Sequence, residues 1–262
     1  MPASLQHYAR RATQAVQILG TIRLLKDFSR RFGRRPVLGI VGARDGAGGV
    51  HRVLAARGLI DILGFEPDKE ECERLTQLQP YASFQPWALG DVTGPRSFHI
   101  TAHPGCSSCL EPDMAVLERY PVKEWFRVAR TVDVTVHRFD ELYPGLVKTR
   151  PDFIQMDVQG FETRVLEGFG EHLDHVIGVQ SEAHFRPLYK DQALLWELRD
   201  LLDSRGLMLR HVRPQGAFEG EVVEAEVWFS RLAKDLTDEQ RALLEIWEGM
   251  SFLPAIDRFN GT

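Results

Sequence analysis

Along most of this chain, hydrophobic residues fall either in short solid runs or at helical spacing, and the two patterns take turns. A solid run such as Val37-Leu38-Gly39-Ile40-Val41 marks a strand covered on both faces, as in a parallel sheet. The runs predict strands over 37–41, 62–65, 83–88, 153–156, 176–180 and 207–212. Helical patterns lie between most of them. One covers 68–78, opened by Pro67 and rich in Glu and Leu; another covers 192–204, ahead of Gly206. Thr237-Asp238-Glu239-Gln240 has the form of a capping box and opens a helix towards Trp247. Strands alternating with helices predict a doubly wound α/β fold, a mostly parallel sheet with helices on both faces. The alternation breaks over 93–142. There Phe98-His99-Ile100, a Pro/Gly/Cys/Ser loop and the exposed-strand pattern of Val132-Asp133-Val134-Thr135-Val136 predict an insertion before the fourth strand that shapes a substrate pocket.

Ahead of the first strand, Leu5, Tyr8, Ala12, Ala15, Leu19, Ile22, Leu25, Phe28 and Phe32 recur at helical spacing, interrupted at Gly20. This predicts two short amphipathic helices. Residues 1–35 carry eight Arg or Lys against Asp27 alone, so the net charge of −5 divides into +7 there and −12 over the rest. Packing on the core or at a homo-oligomer interface is the ordinary use of such a face. The sharper use is peripheral contact with an anionic membrane surface or acidic glycan. The expected organisation is a basic helical extension over 1–35, one α/β domain over 36–232, and a helical appendage over 233–262 packed on that domain.

The remaining composition narrows the class. With 262 residues, 44% of them hydrophobic, the chain can bury one sizeable core, and no apolar run approaches a membrane span. Three cysteines, an odd number, argue against a disulfide framework and for a reducing, cytoplasmic setting, reaching at most the inner membrane face through the basic helices. The acidic remainder speaks against a nucleic-acid partner. Cys106-Ser107-Ser108-Cys109 has the spacing of a redox or zinc half-site, but no second cysteine pair accompanies it, so it reads as a polar loop.

The candidate chemistry begins where the first run breaks into Gly42-Ala43-Arg44-Asp45-Gly46. A strand that turns sharply on glycines brings bare backbone against a ligand. Glu66, 24 residues after Gly42, closes the second run where a carboxylate can reach a ribose held at the first turn. The glycines do not form Gly-x-Gly-x-x-Gly and no Lys-Ser or Lys-Thr follows, so dinucleotides and triphosphates fit poorly. S-adenosylmethionine, with a ribose and no phosphate, fits better. Further on, Asp157 and Glu182 close two apolar runs, with Glu162 and His184 nearby. In a doubly wound sheet such strand ends line one crevice, so Asp157 and Glu182 are expected to converge beside the cofactor. Asp157 or His184 then serves as general base, or Asp157, Glu162 and Glu182 hold a divalent cation. The plainer alternatives are helix capping by Asp157, a helix N-terminal preference for Glu162, and packing for His184.

The order and spacing of several pieces resemble the FkbM-type family of S-adenosylmethionine-dependent methyltransferases, with a Rossmann-like fold. The pieces are the Gly42 to Gly46 turn, Gly64-Phe65-Glu66-Pro67, Ala88-Leu89-Gly90, Ser107-Ser108, Asp140-Glu141-Leu142, the run from Phe153 to Glu162, Val165-Leu166-Glu167-Gly168, and Glu182. The resemblance implies O-methylation of a hydroxyl on a sugar, glycan or secondary metabolite. It implies that Gly42 and Gly46 form the turn facing the methionine portion, that Glu66 accepts from the ribose hydroxyls, that Ala88 and Leu89 border the adenine, and that Ala43, Asp45 and Pro67 belong to the same cofactor site. The family's first turn usually reads Asp-x-Gly-Ala-Asn-x-Gly. Here Ile40 and Arg44 take the Asp and Asn positions, and Gln155 and Gln159 flank Asp157. These departures keep a second expectation open: a non-catalytic relative with a degenerate cofactor turn, binding a glycan or protein partner.

Overall fold

A computed structural model describes residues 3–251, with side chains described from Val16 onward except those of Ala217 and Asp235. The predicted appendage positions 252–262 lie outside the described residues, as do the side chains of Leu5, Tyr8, Ala12 and Ala15.

Five strands run parallel in the order β3 (Ala82–Gln85), β2 (Asp61–Phe65), β1 (Val37–Val41), β7 (Phe153–Met156) and β8 (Gly178–His184). The sheet is completed by β10 (Glu221–Arg231), antiparallel to β8, and β9 (Leu207–Phe218), antiparallel to β10. The chain winds outward from β1 to β3 and then returns to the other side of β1 with β7. A crevice opens between β1 and β7, where the direction of winding switches.

All five residues of β1 are buried, which is what its solid apolar run predicts. Successive side chains point to opposite faces, so the strand feeds two cores. Val37 and Val41 join a core with Phe65, Met156, Phe161 and Phe169. Leu38 and Ile40 join the other, with Leu54 of α2 (Gly49–Ala56), Leu75 of α3 (Lys69–Leu78) and residues of two terminal helices. Those helices are α1 (Ala3–Phe32) and α8 (Asp238–Ser251). Asp68 caps α3 by accepting from the Glu70 and Glu71 amides, and Thr237 with Gln240 forms the predicted capping box of α8.

The N-terminal segment is one helix, not the two expected. Gly20 sits exposed within it with open space around its Cα, so the break costs only the roughly 1 kcal/mol of an interior glycine, and the buried Leu25 and Phe28 farther along hold the helix to the core. Arg34, just after the helix, ties three elements: its guanidinium donates to both Asp152 oxygens at 2.7 and 2.8 Å and to Glu239 of α8 at 2.7 Å. Asp152 also accepts the Val37 amide at 2.8 Å, which fixes the start of β1 against β7. Among the described residues no helix is long and apolar enough to cross a membrane.

Several strands also differ from expectation, β9 running on to Phe218. The 83–88 run splits into β3 and the short β4 (Ala88–Leu89), and β8 continues to His184. The strand β10 was not anticipated. β4 belongs to a second sheet, in the order β4-β6-β5, with β5 (Gly94–Thr101) antiparallel to β6 (Val128–His137). This small sheet is the predicted insertion, and β6 alternates as an exposed strand does.

Trp247 is fully buried, stacked on Phe153 at 5.2 Å, and leaves no room for a side chain at Gly178. Trp247→Ala is therefore expected to cost about 3–5 kcal/mol and to lower the thermal midpoint by roughly 10 °C. An unchanged midpoint would show that α8 is not part of the cooperative core.

Candidate active site

The crevice between β1 and β7 opens into a cleft of about 540 Å³, within the range of small-molecule sites. The β1–α2 turn forms one wall. Gly42 and Gly46 have φ of +75° and +66°, and a Cβ at Gly42 would collide with the Asp157 carbonyl oxygen, while one at Gly46 would strike Gln79. Both the Gly42 and Ala43 amides donate to the Phe65 carbonyl, at 3.1 and 3.0 Å, so the turn is strapped to the end of β2. Gln79 of the segment after α3 accepts the Ala47 amide at 3.0 Å and closes the turn from behind.

Glu66 follows β2 and is buried at 5% exposure. Its Oε1 accepts the Asp68 amide at 3.0 Å, which leaves Oε2 without a protein partner among the described residues. Burial raises its pKa above the usual carboxylate value, while the Asp68 amide and the Arg44 guanidinium act against that rise. Arg44, the departure from the family pattern, thus helps keep Glu66 ionised. Ile40 is buried and borders the same cleft. Pro67, Ala88 and Leu89 line it as expected, with Trp87 beside them.

Asp157 stands on the floor, its amide bonded to the Val41 carbonyl at 3.1 Å. Its side chain is exposed to the cleft, where enclosure by the cleft walls raises its pKa, the Gln159 amide acts against that rise, and the neighbouring Asp45 carboxylate adds to it. The amide of Gln159 donates to Asp157 and to Glu182, both at 2.8 Å. Gln159 adopts a left-handed φ of +53°, and its Oε1 lies 2.8 Å from the Tyr189 hydroxyl. Facing this floor, the inserted sheet contributes Phe98, Ile100, Arg130, Val132 and Val134.

The other predicted site residues are placed differently. Glu182 and His184 do fall at the carboxyl end of β8, but there they pair with Glu226 and Glu224 of β10. His184 is buried at 1% exposure, its pKa pushed down to about 4 by burial, and it does not line the cleft. It is therefore not a base for an acceptor in the cleft. Glu182 lies behind Gln159, and burial, Asp157, Glu224 and Glu162 all push its pKa well up. Glu162 is spent on the turn before α6 (Glu162–Gly168), accepting the Gly160 amide at 3.1 Å and the Val158 amide at 3.4 Å. Its burial raises its pKa to about 7. The alternative in which Asp157, Glu162 and Glu182 hold one cation is therefore not supported, because Glu162 is spent on backbone amides and Gln159 stands between Asp157 and Glu182. Cys106 and Cys109 are free thiols, raised by burial to about 12 and about 11 and so held in the unreactive protonated form. Sequence reasoning missed the bridging role of Gln159, which no spacing rule reveals. It also missed Glu224, for which the alternation Val223, Ala225 and Val227 was an available signal.

A doubly wound sheet whose first turn, second-strand carboxylate and floor aspartate share one cleft defines a Rossmann-like methyltransferase. The chain belongs to the FkbM methyltransferase family: residues 41–207 match the methyltransferase FkbM domain. It is similar to the 2-O-methyltransferase NoeI of Sinorhizobium fredii (strain NBRC 101917 / NGR234), at 29% identity over 197 residues, 72% of this chain and 78% of that protein. Among solved structures, magnesium protoporphyrin IX methyltransferase (ChlM) from Synechocystis PCC 6803 with bound SAM aligns over 88% of this chain and 86% of its own, at a TM-score of 0.41 and 10% identity. The Burkholderia thailandensis 1,6-didemethyltoxoflavin-N1-methyltransferase with S-adenosylhomocysteine covers 88% and 90%, with a TM-score of 0.38 and 11% identity.

The largely buried Glu182 carboxyl gives a pH-dependent prediction. Its folded pKa is raised, so the folded protein keeps the proton while the unfolded chain loses it from about the ordinary 4.5 upward. That loss of stability starts at the unfolded value and grows as pH rises towards the folded one. Glu182→Gln removes it. With divalent ions chelated, the thermal midpoint of the variant relative to the parent should rise by at least about 3 °C between pH 5 and pH 8. A constant difference would contradict the burial of this carboxyl.

Proposed function

We propose that the protein transfers the methyl group of S-adenosylmethionine to a hydroxyl oxygen of a sugar, glycan or secondary-metabolite acceptor. The observation that carries this reading is the position of the Asp157 carboxylate, on the cleft floor between the glycine turn with Glu66 and the inserted sheet. The name of the relative with 29% identity, a 2-O-methyltransferase, supports oxygen as the acceptor atom.

The residues present fit the cofactor. The missing side chains at Gly42 and Gly46 leave a cradle that a Cβ would fill, the unpartnered oxygen of Glu66 can accept from ribose hydroxyls, and Ala88 and Leu89 offer an apolar border to a base. When bound, S-adenosylmethionine supplies an electrophilic methyl group on a sulfonium. The oxygen of the acceptor hydroxyl would gain the methyl group as the sulfur–methyl bond breaks and S-adenosylhomocysteine leaves, and Asp157 would take that hydroxyl's proton. Its raised pKa makes it a stronger base than an ordinary carboxylate, and the Gln159 amide fixes its orientation. Phe98, Ile100, Val132 and Val134 offer an apolar wall against which an acceptor can be positioned, and positioning supplies much of the rate in such a transfer. Arg44 does not empty the site of its function, since its charge supports the ionised Glu66.

The test is release of S-adenosylhomocysteine across a panel of sugar and phenolic hydroxyl acceptors. Asp157→Asn should lower kcat by about 10²–10⁴-fold and leave cofactor binding close to that of the parent. Turnover that survives this substitution would remove Asp157 from the role of base. No turnover with any hydroxyl acceptor would favour the non-catalytic reading.

A further inference from the structure

Behind the cleft floor, β8 and β10 bring together Glu182, His184 and Glu224. His184 Nε2 lies 4.0 Å from Glu182 Oε2 and 3.7 Å from Glu224 Oε2, too far for hydrogen bonds and facing both carboxylates. Both ring nitrogens of His184 are buried with no hydrogen-bond partner among the described residues. An unpartnered imidazole is costly in a packed interior, and this one is aimed between two acidic groups. Burial holds it neutral, so it does not offset their charge, and neutral imidazole is the form that ligates metals. Asp157, behind Gln159, adds a further negative charge to the same neighbourhood.

We infer that Glu182, His184 and Glu224 form a binding site for one divalent transition-metal ion, Zn²⁺ or Mn²⁺, that joins β8 to β10 beneath the cleft. The three candidate ligand atoms all lie within 4.8 Å of one another, so a contraction of a few tenths of an ångström would bring each to the roughly 2.0–2.2 Å of a nitrogen or carboxylate ligand. One nitrogen and two carboxylate oxygens suit these ions better than Mg²⁺ or Ca²⁺, which favour oxygen throughout. Glu224, with 31% of its side chain exposed, provides the entry path, and water can complete the coordination. Because Glu182 also accepts from Gln159, a bound ion holds in place the group that orients Asp157. The Cys106 thiol lies near enough to feel the charges of Glu224 and Glu182, whereas the Cys109 thiol does not, and the site does not rest on the identity of the acceptor.

The full-length protein is stripped with EDTA, dialysed, and titrated by calorimetry with ZnCl₂, MnCl₂ and MgCl₂, with thermal midpoints measured in parallel. The expected result is one equivalent of Zn²⁺ or Mn²⁺ per chain, Mg²⁺ at least tenfold weaker, and a raised midpoint with the bound ion. Glu224→Gln, at a half-exposed position that the fold tolerates, should weaken binding by at least tenfold, and His184→Ala, where it folds, should abolish it. Cys109→Ser should leave binding unchanged. Absence of stoichiometric binding, binding indifferent to Glu224→Gln, or binding lost in Cys109→Ser would each overturn the site.

Discussion

The close approach of β1 to β7 is the constraint on which the rest of the structure depends. The Val41 carbonyl receives the Asp157 amide, and the chain then turns left-handed at Gly42 so near the Asp157 carbonyl that no side chain fits between them. A residue other than glycine would face both an unfavourable φ and a collision with backbone, which cannot move aside cheaply. This contact puts the turn, the end of β2 and the Asp157 carboxylate around one cleft. Upstream, the Arg34–Asp152 pair and the Val37 amide hold the opposite ends of the same two strands, so β1 and β7 are fixed at both ends.

Negative charge is the second organising feature. Glu66, Asp157, Glu162, Glu182 and Glu224 all have pKa values raised, chiefly by removal from water. They are nevertheless handled differently. Glu162 is satisfied by backbone amides of its own turn, Glu66 by one amide and the nearby Arg44, and Asp157 and Glu182 by the two hydrogens of a single Gln159 amide. Asp157 combines a raised pKa with a side chain exposed on the cleft floor, and that combination is why we propose it as the proton acceptor. The family's more acidic first turn is replaced here by Ile40 and Arg44, which shifts the balance towards an ionised Glu66 rather than towards a carboxylate beside the sulfonium.

The sequence was most informative where one physical rule dominated. Strands buried on both faces read as solid apolar runs, so β1 and β7 appear residue for residue as expected, and the glycine turn with Glu66 falls where the crevice requires. It was least informative where a partner distant in sequence decides the outcome. β10 carries Glu221, Glu224 and Glu226, an unusual load for a strand, and Arg186 and Arg213 from neighbouring segments balance two of them. That pairing exists only once the sheet is assembled, as does the antiparallel pairing of β10 with the end of β8 that carries Glu182 and His184. In the same way, Gly20 suggested a break that packing of later residues against the core overrides.

The central claim is that the Gly42 turn and Glu66 together hold S-adenosylmethionine. Calorimetric titration of S-adenosylmethionine and S-adenosylhomocysteine into the purified protein, with Glu66→Ala alongside, tests it most directly. The account predicts one-to-one binding of both compounds and at least a tenfold loss of affinity in the variant, about 1.4 kcal/mol or more. No binding by the parent protein, or equal binding by the variant, would contradict it.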